Sequence, residues 1–95
     1  MVIEVVVREV IADLCEVESD SIPMDTPLSG EPVSADDQDL VEVIGELETR
    51  LDCEISAKQL KRYSGTEPGT GVVVNRLTPN HLVSILRECK NTPEE

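Results

Sequence analysis

Six carboxylates crowd one short stretch of this 95-residue chain: Asp36, Asp37, Asp39, Glu42, Glu46 and Glu48. Chemically, such a run could bind a cation, cap a helix or meet a basic partner. Calcium loops place oxygen ligands at alternating positions, with a glycine at the turn and a closing glutamate. The glycine and the spacing both fail here, so the cluster is better read as negative charge placed where a helix N-terminus favours it. Other candidates for chemistry are few. His81 is the single histidine and has no serine or cysteine partner that spacing brings near it, so it reads as a surface residue. Cys15, Cys53 and Cys89 are far apart, with no Cys-x-x-Cys pair for a metal, and read as reduced, partly buried thiols. The glycine-rich stretch 65–71 lacks the Gly-Lys-Ser/Thr ending of a phosphate loop and reads as a surface turn. No enzyme activity and no metal site are expected.

Bulk composition narrows the classes further. The net charge of −12, from 20 acidic against 8 basic residues, opposes binding to nucleic acid or anionic membrane and favours basic protein partners. Apolar residues make up 39% of the chain, and Tyr63 is the only aromatic, so the core must be aliphatic, as in a small helical bundle. No apolar run approaches the roughly 20 residues needed to span a bilayer. Met1 leads directly into a segment carrying Glu4, Arg8 and Glu9, without a secretory pattern. Together these features predict a cytoplasmic monomer.

The elements that must position the carboxylates follow from hydrophobic period. Ile3, Val7, Val10, Leu14 and Val17 predict a first helix over about 2–17. Residues 18–35, with Pro23, Pro27, Gly30 and Pro32, form a long connection that Ile22, Leu28 and Val33 could pin to the core. A second helix runs from about Asp36 to Leu51, with Leu40, Ile44, Leu47 and Leu51 inward and Val41 and Val43 flanking. Its cap is Ser34, Asp36 or Asp37. Gly45 costs about 1 kcal/mol relative to alanine there and marks the close approach of a neighbouring helix or a partner. Ser56 caps a short helix over Ala57 to Tyr63. A turn-rich insertion follows, then an extended piece over Val72 to Val74. Thr78 and Pro79 open a last helix, to about Lys90, with Leu82, Ile85, Leu86 and Cys89 as its core face. Residues 1–90 make one domain, and 91–95 a polar tail.

This order, together with Val41-Glu42-Val43-Ile44, Leu47-Glu48 and Leu51-Asp52-Cys53-Glu54-Ile55, resembles the acyl carrier protein family. Thr26-Pro27-Leu28 is similar to the family's loop anchor, and Leu77-Thr78-Pro79 to the entry of its last helix. The resemblance covers about residues 3–90, apart from 64–75. It implies an all-α four-helix bundle with a long first loop and an insertion before the last helix. It also implies a 4'-phosphopantetheine arm on the serine of an Asp-Ser-Leu triplet, and docking of the second helix on basic surfaces of synthases or acyltransferases. The docking residues would be Asp36, Asp39, Glu42, Glu46 and Glu48. The matching triplet here, however, is Asp36-Asp37-Gln38. Asp37 stands in the attachment position, and a carboxylate cannot form that phosphodiester. Ser34, three residues upstream, is a poor substitute in a shifted register, and Ser29 a poorer one. The expectation is therefore a non-catalytic, carrier-like docking protein without the arm. The alternative is a functional acyl carrier of a specialised fatty-acid or polyketide pathway.

Overall fold

A computed structural model describes residues 2–65 and 73–91, and among them contains four α-helices and no strand. Helix α1 spans Ile3–Cys15, α2 Asp37–Leu51, α3 Ala57–Ser64 and α4 Pro79–Asn91, with single 3-10 turns at Ser19–Ser21 and Val73–Asn75. The all-α bundle and its long first loop are as expected. The expected insertion lies partly outside the described residues: 66–72 fall there, as does the tail beyond 91.

Helix α1 stops two residues short of the periodic signal. Glu16 turns left-handed at φ 58°, so its N–H and that of Val17 both return to the Ala12 carbonyl. Val17 still packs against the core, which is why the apolar period runs past the helix end. Val7, Val10 and Ile11 of α1 are fully buried against α2 and α4. Leu40, Val43, Leu47 and Leu51 form the inner face of α2. That face differs from the predicted stripe: Val43 is 1% exposed and Ile44 only half-buried, while Val41 is 66% exposed. The true stripe steps by three, four and four residues, and the rotation turns Val41 to solvent. On α4, Leu82, Ile85 and Leu86 are buried as expected. Val83 joins them, and Cys89 is only half-buried.

The long connection is tied down throughout. Ile22, Leu28 and Val33 are buried as anchors. The Leu28 N–H donates to the Leu77 carbonyl at 2.9 Å, and that of Ser29 to Val74 at 3.0 Å. The Asn80 N–H reaches Met24, and one Arg8 guanidinium nitrogen donates to the carbonyls of Ser19 and Ile22. Gly30 is required by space, since a Cβ there would meet the Thr26 methyl at 2.7 Å. Buried Val73 and Val74 form a helical turn instead of the extended piece expected for 72–74: the Val74 carbonyl accepts the Ser29 N–H of this loop, and the Val73 carbonyl accepts the N–H groups of Arg76 and Leu77 ahead of α4. Val72 lies outside the described residues.

Helix α3 is capped by a reciprocal Ser56–Gln59 box and closed by Gly65 at φ 77°. It is fastened to α4 through Glu88, which accepts from Arg62 and from the Tyr63 hydroxyl. The Tyr63 hydrogen bond, then the Arg62 charge, hold the Glu88 carboxyl below its ordinary range despite partial desolvation. The folded value therefore lies below the unfolded one. The contribution is present above the unfolded carboxylate range and is lost as pH falls through the folded value. Glu88→Gln is expected to flatten the acid limb of the stability curve below about pH 4.5, measured by thermal melts across pH. An unchanged acid limb would mean that this contact contributes nothing to folding.

Candidate functional site

The start of α2 is built by its own carboxylates. Asp36 is the N-cap, and its Oδ1 accepts the Asp39 N–H at 2.8 Å. Asp39 returns the contact, its Oδ2 accepting the Asp36 N–H at 3.1 Å. This acidic capping box satisfies two backbone groups that a helix start otherwise leaves open. Ala35 and Leu40 flank it at the two positions of a hydrophobic staple, and both are buried. The Ala35 N–H is bound to the Leu28 carbonyl at 2.9 Å, so the anchored loop sets the angle at which the chain enters the helix. Of the three predicted cap candidates, only Asp36 acts as one.

Asp37 is the first helical residue and is half-buried, with exposed Gln38 beside it. Ser34 is exposed at φ 50°; its N–H donates to the Gly30 carbonyl and its hydroxyl to Glu31 Oε2 at 3.1 Å. Its role here is to close the turn before the helix. The hydroxyl is three residues from the first helical position, as the sequence spacing indicated. Cys15 senses the same carboxylates: burial first, then Asp39, Asp36 and Glu42, push its thiol up from the ordinary value.

The remaining predicted docking residues separate along the helix. Glu42 is exposed. Glu46 accepts from Arg50 Nε at 2.8 Å, and Arg50 also reaches Asp13. Glu48 is half-buried, and its Oε2 accepts the Ile55 N–H at 2.8 Å, fixing the link into α3. Asp36, Asp39, Glu42 and Glu46 thus lie toward the outer and α1-facing sides, whereas Glu48 turns to the α2–α3 link. Gly45 is exposed and a Cβ built on it meets nothing within 4 Å, so no neighbouring helix among the described residues approaches it.

His81 does more than an ordinary surface histidine. Its Nδ1 accepts the Thr78 N–H at 3.0 Å while Thr78 Oγ1 accepts the His81 N–H at 3.1 Å, capping α4. Its ring lies 5.6 Å from that of Tyr63. The Thr-x-x-His spacing was visible in the sequence, but a capping box is usually recognised by Glu or Gln in the third place. No group of three or more metal-ligating side chains occurs among the described residues, and none of their helices is long and apolar enough to cross a membrane. Two shallow grooves of about 340 and 330 Å³ lie by Asp13 and Arg50 and by Asp52 and Cys53, away from the first turn of α2.

Against known families, the model described as the phosphopantetheine attachment site matches residues 5–66, well over half of the chain. The chain belongs to that family. The match runs from the first turn of α1 through α3 and includes the acidic capping box. No curated protein and no solved structure matches. Domains of this family normally carry 4'-phosphopantetheine, interact with partner enzymes and are generally non-catalytic.

The first turn of α2 carries carboxylates and no hydroxyl side chain. A phosphodiester forms on a hydroxyl oxygen, and the first helical residue offers a carboxylate. The charges of Asp36 and Asp39 flank it in sequence, and an incoming phosphate would be repelled by all three. The nearest upstream serine hydroxyl is that of Ser34, outside the helix and donated to Glu31.

Proposed function

We propose that this family member acts as a non-catalytic docking protein without a phosphopantetheine arm, recognised by basic surfaces of partner enzymes through α2. The observation that carries this reading is Asp37. It is a carboxylate at the first position of a helix closed by a capping box, at the position that the resemblance aligns with the family's serine. The surrounding scaffold is intact, so the change concerns loading and leaves docking in place. Synthases and acyltransferases are the partner class that the family resemblance implies. In this reading residues 1–90 act as one domain, as a monomer in the cytoplasm, with Asp36, Asp39, Glu42 and Glu46 on the docking side and Glu48 at its edge.

Intact mass after incubation with coenzyme A and a broad-specificity phosphopantetheinyl transferase tests the first half. The expected spectrum is unchanged; covalent addition at Ser34, Ser29 or elsewhere would restore the reading of a functional acyl carrier.

The docking half is tested separately with purified ketosynthase or acyltransferase enzymes that bind carrier domains. Glu42 is exposed, so Glu42→Lys leaves the fold intact while reversing one rim charge. It should slow association with such an enzyme, most strongly at low salt, when followed by surface plasmon resonance. Identical association rates at low salt would remove Glu42 from the docking face.

A further inference from the structure

We propose that His81 is a proton-controlled cap: neutral, its ring closes the start of α4; charged, it lets go of Thr78 and loosens the tie between α4 and the first loop. Docking and loading at α2 play no part in it.

The cap uses the ring in one protonation state only. Its Nδ1 accepts the Thr78 N–H at 3.0 Å, which requires a bare lone pair there and places the single ring proton on Nε2. An imidazolium carries hydrogen on both nitrogens, so Nδ1–H would face the Thr78 N–H, donor against donor. Glu and Gln, the usual residues in this place of a capping box, keep an accepting oxygen where histidine changes charge, between about pH 5 and 8. The charged ring would also stand in the first turn of α4. There the helix dipole disfavours a cation, and no acidic side chain of that turn offsets it.

The surroundings give the charged ring a second place to rest. From α3, the Tyr63 ring lies 5.6 Å away, and its face attracts a cation. Glu88 of α4 accepts from the Tyr63 hydroxyl and adds negative charge on that side, whereas Arg62, 5.2 Å over the same ring, opposes it. From the first loop, the Met24 carbonyl accepts the Asn80 N–H at 2.9 Å, and Asp25 follows it in sequence. Turning away from Thr78 therefore keeps the Tyr63 contact and gives up the cap. The loss reaches further than one hydrogen bond. Asn80 holds Met24, and the Leu77 carbonyl just before the cap holds the Leu28 N–H, so a loosened start of α4 frees the loop that sets the entry angle of α2.

The test is NMR on the isotope-labelled full chain between about pH 8 and 5.5, the range in which histidine titrates. At the alkaline end the His81 ring nitrogens should show the tautomer with hydrogen on Nε2. As the ring becomes charged, the Thr78 N–H should lose roughly tenfold in protection against hydrogen exchange, taken relative to the intrinsic rate at each pH. The Asn80 N–H should lose protection in the same step. His81→Gln restores the usual capping box with an oxygen that does not titrate, and should hold both amides equally protected across the range. A Thr78 amide indifferent to the charge on His81 would overturn the cap, and a loss confined to Thr78 would overturn the tie to the loop. The same pH-dependent loss in His81→Gln would overturn both, by placing the cause in other groups.

Discussion

Asp37→Ser combined with Gln38→Leu is expected to let a phosphopantetheinyl transferase load the chain, where the proposed function has the parent stay unmodified. The readout is intact mass, moving from no addition to addition on most molecules. The helix start should survive the change. The box between Asp36 and Asp39 uses neither replaced side chain, and Ala35 and Leu40 remain in place. Losing the Asp37 charge from the first turn costs about 0.3–1 kcal/mol, too little to unfold a domain stable by roughly 5–15 kcal/mol. Loading therefore reports chemistry at one atom and not gross structure. Should the folded double variant also stay unmodified, the departure of this helix from its family extends beyond the missing hydroxyl.

Leu28→Ala is expected to be among the most damaging single changes outside the helices. The side chain is 2% exposed, and the same residue joins two parts of the molecule through its backbone. Its N–H holds Leu77 at the entry to α4, and its carbonyl holds Ala35 at the entry to α2. Truncating a buried leucine costs about 2–5 kcal/mol, depending on how far the site collapses. In a domain of this size that lowers the melting temperature by about 10 °C or more. Val5→Ala, on the exposed side of α1, is the matched control and should stay within about 0.5 kcal/mol. A Leu28 variant that melts with the Val5 control would show that the loop is not anchored as described. The consequence for function is direct: the angle at which the acidic capping box is presented depends on this loop.

The local features of the site were readable in the residues. Asp36 three positions before Asp39, followed by an apolar run, is a capping signal that depends only on neighbouring atoms. Ser56 with Gln59, and Thr78 with Pro79, are signals of the same kind. Ile22, Leu28 and Val33 announced an anchored loop because a long polar connection has no other use for them. That the first residue of α2 is a carboxylate and not a hydroxyl needed nothing more than the residue type and the helix start.

Other properties depended on which neighbours the chain folds against. Val43 and Val41 are chemically identical and two positions apart, so only the rotation of α2 against α1 and the loop could decide which is core and which is surface. Glu46 and Glu48 both looked like outer-face carboxylates. The approach of Arg50 assigned one to an ion pair, and the bend at Asp52 turned the other toward the Ile55 N–H. The ends of α1 and α2 carry no glycine; Glu16 and Asp52 take the left-handed conformation, and tertiary packing of the following Val17 and Ile55 offsets its cost. Gly45 could have meant a neighbouring helix or an external one until the open space above it excluded the first. By itself, the sequence determined which groups can react and which turns must start or stop, because those are properties of atoms a few bonds apart. The tertiary structure alone decided which side chains face solvent, since exposure is set by residues distant in the chain that pack together or leave a gap.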